Sequence, residues 1–408
     1  MMYFSQRPHQ TPNRPHPFVQ NTLFDARSIA KQDWEQQRQS FDRDFNYGGM
    51  NQQQQQQPNP FITLAYPSQE WILFPHSFDH QQSKWKNLET VDEIAQLTAT
   101  HEMPSQLRIL TFNIWFDAYM MKERMDGLMN EIFQRTFNVN NHNFSSSSSF
   151  QTISSPIPDV LCFQEVTTQS LEMIAQHPII RNNYYLSDSP DDAFCSVYPY
   201  GVLMAVKKTL PIRKLFYNTL PSNMYRAALS VEIGNSQMQF QNMIVTTVHL
   251  ESLSNADLRF QQLDVISNFQ IPYSQAIICG DFNFDSERNY DENYLPYLEN
   301  SYLTSNVHLR QYQDVWKSLK YPNDLGKTFD TKSNAILAKY SHEVMRYDRV
   351  LLKSLMVPSQ HTQLKKYWKP IHIELLGTKP IAYDQNRNPI CISDHFGILT
   401  IIENVQIV

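Results

Sequence analysis

Ala276-Ile277-Ile278-Cys279-Gly280-Asp281-Phe282-Asn283 is the stretch on which the fold turns. A β-branched apolar run that ends in Gly-Asp-x-Asn reads as a buried strand presenting a carboxylate and an amide at its carboxyl end. Open α/β sheets carry their chemistry at that end. Gly-Asp-x-Asn also occurs in ordinary turns, so its meaning depends on whether the rest of the chain repeats the design.

It does. Leu107-Arg108-Ile109-Leu110-Thr111-Phe112-Asn113 alternates like a strand and ends on an amide. Asp159-Val160-Leu161-Cys162-Phe163-Gln164-Glu165 is nearly all apolar until its last two residues, the pattern of a strand buried on both faces. Met243 to His249 delivers a histidine in the same way. Between the first two runs, Met125, Leu128, Met129, Ile132 and Phe133 share one face of a crossover helix over 122–133. A short helix over 168–175 and a longer one over 257–269 follow the same logic. Extended segments are expected near 184–187, 200–206, 212–217, 226–233 and 238–250. Further β pattern comes at 314–316, 327–331, 346–352, 372–376 and in the closing Ile392–Leu399. Two strand-rich halves with helices outside predict an α/β sandwich.

Composition divides the chain of 408 residues unevenly. Gln52 to Gln57 is an unbroken glutamine run, and prolines at 8, 12, 15, 17, 58, 60 and 67 punctuate the same region. Residues 1–100 are therefore expected to be a low-complexity, largely disordered leader, with docking segments at 33–45 and 61–74. Residues 105–404 are long enough for one catalytic-size domain, with a flexible Ser-rich insertion at 138–157. A net charge of −6 argues against a protein that coats nucleic acid or anionic membrane non-specifically. The cysteines at 162, 195, 279 and 391 form no Cys-x-x-Cys pair, so reduced thiols and an intracellular setting, nuclear or cytoplasmic, are expected. No stretch approaches eighteen consecutive apolar residues and the amino terminus has no signal-like apolar region, so no membrane role is expected. Lys365-Lys366-Tyr367-Trp368-Lys369 interleaves bases with aromatics and reads as a solvated loop able to touch a nucleic-acid strand.

Polar residues thus recur at strand ends: Asn113, Glu165, His249, Asp281 with Asn283, Asp348, and Asp394 with His395. Carboxylates and amides are oxygen donors suited to Mg²⁺ or Mn²⁺. A histidine paired with an aspartate is better placed to orient or protonate a phosphoryl group than to ligate metal. Singly, each has an ordinary reading: Asn113 a strand terminator, the carboxylates solvated strand ends, the histidines interior side chains. Cys279 reads as core.

In chain order, Phe112-Asn113, Phe163-Gln164-Glu165-Val166, Val248-His249-Leu250-Glu251-Ser252, Gly280-Asp281-Phe282-Asn283, Arg346-Tyr347-Asp348-Arg349 and Ser393-Asp394-His395-Phe396-Gly397 resemble the endonuclease/exonuclease/phosphatase superfamily, over about residues 105–404. His249-Leu250-Glu251-Ser252, Thr328-Phe329-Asp330-Thr331-Lys332 and Asn113-Ile114-Trp115-Phe116-Asp117 are most similar to its tyrosyl-DNA phosphodiesterase branch. The resemblance implies a four-layer α/β sandwich of two packed mixed β-sheets flanked by helices. It implies Mg²⁺-dependent hydrolysis of 5′-phosphotyrosyl-DNA linkages in repair of protein-linked breaks. The alternative within the superfamily is a nuclease acting on RNA or DNA, or a phospholipid or inositol-phosphate phosphatase. The partner would be DNA 5′ ends, with RNA as the other polymer. By the same likeness Glu165 is the principal metal ligand, supported by Asn113 and Asp394. Asp281 positions and deprotonates water, and His249, Ser252 and Asn283 contact the phosphate. His395 stabilises the transition state, oriented by Asp348, while Phe329 and Arg346 meet substrate. The chain departs from that branch at Trp115, where the branch carries Asp, at Asp285, where the branch carries Arg, and at Phe329, where tryptophan is usual.

Overall fold

The structure, a computed structural model, describes residues 70–407 apart from 89, 135–156, 192–196, 198, 237–240, 288–297, 335, 337–340, 359–364 and 388. The expected leader segment at 33–45, most of the segment at 61–74 and nearly all of the Ser-rich insertion lie outside the described residues.

Five strands carry the site: β1 (Gln106–Asn113), β2 (Val160–Val166), β3 (Met243–His249), β4 (Gln275–Asp281) and β5 (Asp348–Ser354). In a seven-stranded sheet β3 runs parallel to β4, and β4 antiparallel to β5. In a nine-stranded sheet β1 and β2 are parallel neighbours. The long closing strand Gly397–Ile407 pairs antiparallel with β1, so the turn over 392–396 returns to the end where β1 finishes.

Period-two alternation assigns the faces. Ile109 and Cys162 from one sheet and Val245, Ile277, Cys279 and Val350 from the other share a single core between the sheets. The intervening residues point outward to helices. Leu110, Phe112, Leu161 and Phe163 pack against Met125, Leu128, Met129 and Ile132 of α1 (Met121–Phe133) and Leu171 and Ile174 of α2 (Thr168–Gln176). Val248, Ile278 and Leu351 pack against Leu263 and Ile266 of α3 (Ala256–Phe269). Helix, sheet, sheet, helix are the four layers. Ile277 touches both sheets' core, and Ile277→Ala would cost about 3 kcal/mol of stability, the usual range for an emptied core position.

Three segments differ from the sequence reading. Residues 70–98, which composition assigned to the leader, are built into the fold. Glu70–Leu73 pairs with Ile212–Thr219, the hairpin of His76–Asp79 and Lys84–Asn87 extends the nine-stranded sheet, and Val91–Thr98 is a helix capped by Thr90. Pairing needs only backbone and two buried aromatics, Phe78 and Trp85, so low apolar content did not prevent it. Lys365–Leu376 is one twelve-residue strand rather than a loop, with Trp368 and Ile373 buried and Lys365 and Lys369 exposed. Val315–Leu319 is helical, because the Asp314 side chain accepts from Lys317 N–H as an N-cap. The described cysteines at 162, 279 and 391 are free and buried. Among the described residues no helix is long and apolar enough to cross a membrane.

Candidate active site

Register places His249, Asp281 and Asp348 in one row across β3, β4 and β5. Gly280 lets these backbones close up. Its φ is +132°, and a Cβ there would sit 2.0 Å from Val248 O. From the facing sheet, pairing of β2 with Gly201–Lys207 slips between Phe163 and Val166, and Glu165 takes φ +59°. Such a bulge re-aims one side chain, here the Glu165 carboxylate. Trp115 (φ +61°) and Asn283 (φ +55°) are also left-handed, so strained backbone gathers where polar side chains converge.

Asn113 joins the two sheets. Its Nδ2 donates to Glu165 Oε1 at 3.1 Å and to Asp281 Oδ2 at 3.0 Å, while its Oδ1 accepts from Trp115 N–H. Glu165 Oε2 accepts from Phe116 N–H at 3.0 Å. Asn283 N–H donates to Asp281 Oδ1 at 2.8 Å, leaving Asp281 Oδ2 as the oxygen at the centre. Ser393 Oγ donates to Asn113 O and holds the turn carrying Asp394 and His395 against β1.

Two histidines approach that centre in opposite states. His249 Nε2 lies 3.5 Å from Asp281 Oδ2 and 3.8 Å from Glu165 Oε1, while its Nδ1 is 2.9 Å from Arg226 Nη1. Arginine only donates, so Nδ1 accepts and the proton sits on Nε2. Burial, then the charge of Arg226, then that of His395, push His249 well below the ordinary histidine range. His395 Nε2 lies 3.9 Å from Asp281 Oδ2, and its Nδ1 donates to Asp348 Oδ2 at 2.7 Å. Burial alone would depress His395. The charges of Asp348 and Asp281, the hydrogen bond to Asp348 and the charge of Asp394 outweigh it and hold the imidazolium well above its usual range. Burial also raises the Asp281 carboxyl, against His395 and with Asp348. Asp394 is pushed up to about 7, by burial first, against the charge of His395 and with that of Glu165.

Of the residues nominated from sequence, Asn113, Glu165, His249, Asp281, Asp348 and His395 come together. Asn283 adjoins them, its Nδ2 donating to Leu250 O at 2.8 Å. Phe329 meets His395 edge-on at 5.0 Å between ring centres. Asp394 accepts from Ser393 Oγ, and Ser252 donates to Met224 Sδ, each outside the hydrogen-bonded centre. Arg346 does not reach it. Its fully buried guanidinium donates two hydrogen bonds to the Asp314 carboxylate, at 3.0 and 2.7 Å, and a third to Ser286 Oγ, so a substrate contact is replaced by a structural one. Asp285 is likewise interior, accepting from Lys327 Nζ and Arg346 N–H, so its charge is neutralised within the fold and not presented to a polyanion.

Sequence reasoning missed Arg226, Tyr200 and Phe116. Arg226 lies 5.5 Å above the Tyr200 ring, and Phe116, 45 % exposed, stacks on Tyr200 at 4.8 Å. Arg226 and Tyr200, with His249, Tyr217 and Tyr225, line a small hollow beside the site. Phe116 stood inside a quoted motif; Arg226, in a turn ahead of a buried strand, carried no signal.

Asp281, Asp348 and His395 form a group whose ligand atoms lie within 4.8 Å of one another, tight enough to hold a metal ion. This differs from the Glu165, Asn113 and Asp394 set expected from sequence. Asp348 Oδ2 and His395 Nδ1 are already spent on each other, although Asp348 Oδ1 is buried without a hydrogen-bond partner. On the other side, burial and then the charge of Glu165 raise the proton affinity of Asp394, with the charges of His395 and Arg124 opposing. A buried set dominated by carboxylate oxygens, with no thiolate, fits a hard divalent cation.

The chain belongs to the Endonuclease/Exonuclease/phosphatase family, whose model matches residues 110–395. Among individual proteins it is similar to tyrosyl-DNA phosphodiesterase 2 of Xenopus laevis, 26% identical over 246 residues, 59% of this chain and 57% of that protein. The chain thus matches a little over half the length of that relative. The fold is that of the D. rerio TDP2 crystal structure complexed with single-strand DNA product, at a TM-score of 0.52 and 21% identity, covering 74% of this chain and 100% of that one. TDP2 from C. elegans superposes at a TM-score of 0.47 with 18% identity, over 73% of this chain and 75% of that chain.

Proposed function

We propose that the protein is a Mg²⁺-dependent phosphodiesterase that hydrolyses the bond between a tyrosine and a DNA 5′ phosphate. The observation that carries the reading is the pair of histidines in opposite states on either side of Asp281 Oδ2, within a cluster closed by Asn113 and Glu165. Glu165, with Asn113 and Asp394, would hold the ion, which would offset negative charge on the phosphoryl oxygens.

The chain's own residues do the rest. His249 offers a neutral Nε2–H to a phosphate oxygen, and Asn283 keeps one amide hydrogen for another, its other bond going to Leu250 O. Asp281, its proton affinity raised by burial, takes a proton from the attacking water at Oδ2. His395, kept protonated by Asp348, places positive charge where charge develops in the transition state. Ser252 borders the phosphate from the His249 side.

Aromatic rings support a tyrosyl substituent. Tyr200 with Phe116 flanks His249, Phe329 flanks His395, and the charge of Arg226 lies over Tyr200. The similarity to tyrosyl-DNA phosphodiesterase 2 supports the same substrate. In this reading the two-sheet sandwich is the catalytic unit, with the residues ahead of it as an accessory leader.

A panel tests it: a 5′-phosphotyrosyl oligonucleotide, an RNA 3′ end, an abasic-site duplex and an inositol phosphate, each with Mg²⁺ and with Glu165→Gln as control. Release of tyrosine from the first, lost in Glu165→Gln, is the expected result. Turnover of another member alone would move the activity elsewhere in the family.

A further inference from the structure

Glu251 stands in the His249-Leu250-Glu251-Ser252 motif, yet the chemistry above gives it no task. It is fully buried, and among the described residues no cation touches its carboxylate. A buried carboxylate without a cation is costly unless its oxygens are well supplied with donors. Here they are. Oε2 accepts from Ser222 Oγ at 2.5 Å and from Gln262 Nε2 at 3.2 Å, and Oε1 accepts from Asn223 N–H at 2.9 Å.

What these bonds hold is the turn between Ile212–Thr219 and Ala227–Ile233. Ser222 Oγ, its own proton given to Glu251, accepts from Met224 N–H at 2.9 Å and from Arg226 N–H at 3.0 Å. Gln262 Nε2 adds a bond to Pro221 O at 2.7 Å, and its Oε1 accepts from Glu251 N–H at 2.8 Å. Arg259, anchored on Glu299 at 2.6 Å, donates to Glu251 O at 2.9 Å. The chain of bonds runs from α3 through Glu251 and Ser222 to the backbone of Arg226, whose guanidinium meets His249 Nδ1.

We infer that Glu251 is a positioning residue: through Ser222 it fixes Arg226 against His249 Nδ1, and so keeps the His249 proton on Nε2, facing the phosphate site. The inference rests on the phosphodiesterase reading for its effect on rate, but not for its effect on the histidine. Every bond at the Glu251 carboxylate is donated to it. Only a carboxylate accepts all of them, so the isosteric amide of Glu251→Gln must set a donor against a donor whichever way it turns.

The experiment takes the full chain, ¹⁵N-labelled at histidine, as wild type, Glu251→Gln, Ser222→Ala and Arg226→Ala, with melting temperatures alongside. Turnover is followed on a p-nitrophenyl ester of thymidine 5′-phosphate. The expected spectrum shows wild-type His249 with an unprotonated Nδ1 and a protonated Nε2, and mixed tautomers in all three variants. In turnover, Glu251→Gln lowers kcat about tenfold with KM within about twofold, and Glu251→Gln combined with Arg226→Ala is no slower than Arg226→Ala alone, as for residues acting through one contact. An unchanged His249 spectrum in Glu251→Gln and Ser222→Ala, or losses that multiply in the double variant, would overturn the inference. Should Glu251→Gln not fold, Ser222→Ala, half-buried in the turn, decides the question. A wild type that cleaves no phosphodiester sinks the reading of the site, and the nitrogen spectrum still decides the role of Glu251.

Discussion

His249 and His395 approach the same oxygen of Asp281, at 3.5 and 3.9 Å, and differ in what stands behind them. Behind His249 is an arginine, which can only donate, so the ring is neutral and presents Nε2–H. Behind His395 is the buried carboxylate of Asp348, which can only accept, so the ring keeps both protons. The same side chain is thus a neutral donor on one side of the site and a cation on the other. The difference is set by the second neighbour, not by the residue that touches substrate.

Removing the cation should hurt most. His395→Ala is expected to lower kcat about a thousandfold, the upper range for losing a group that stabilises transition-state charge. Asp348→Asn leaves the ring in place but cannot hold it charged, and about a hundredfold is expected; equal losses would show that the ring alone, and not its charge, matters. On the other side, Arg226→Ala should cost about tenfold, because a loosened neutral donor still donates part of the time. Steady-state kinetics on a phosphodiester that the wild type cleaves measures all three.

Arg346 sharpens the comparison from beneath. It precedes Tyr347 and Asp348 and is locked on Asp314, whose carboxyl is held below its usual range by Arg346 despite burial. Arg346→Leu strands a buried carboxylate and should destabilise by about 3 kcal/mol, read as a fall in the urea midpoint. A change in KM with unchanged stability would restore the substrate contact expected from sequence.

The smallest effect is on stability against pH, and its sign differs for the two rings. His249 has a lowered folded value, so the unfolded chain binds the extra proton, and stability from this residue rises with pH up to the ordinary value of 6.5. His395 has a raised folded value, so its contribution is complete below 6.5 and is lost as pH rises through the folded value. Urea midpoints across pH should therefore show a weaker acid loss in His249→Gln and a weaker alkaline loss in His395→Gln. Identical profiles would erase the distinction.

Much of this was legible in the sequence because buried strands announce themselves. The runs before Gln164-Glu165 and Asp281 are continuous, those before Asn113 and His249 are interrupted only by Arg108, Thr111, Thr246 and Thr247, and a polar residue marks the end of each. Lys365–Leu376 was less legible, since Lys365 and Lys369 occupy outward positions of an alternating strand and, with Lys366 beside them, mimic a basic loop. Trp316 looked like strand from its short apolar pattern, but a single N-cap at Asp314 outweighs that pattern and makes the segment helical. Arg226 was out of reach. Its role comes from a turn folded onto α3 through Glu251, and no local pattern records a contact across twenty-three residues. Nor does sequence show that Arg346 and Asp285 turn inward, because direction, unlike identity, is set by the partners each finds.

The most direct measurement is the ¹⁵N histidine spectrum of the metal-free wild-type protein near pH 7.5, with His249→Gln and His395→Gln to assign the two rings. The expected result is one ring with a single protonated nitrogen, Nε2, lost in His249→Gln, and one with both nitrogens protonated, lost in His395→Gln. Two rings in the same protonation state would contradict the account.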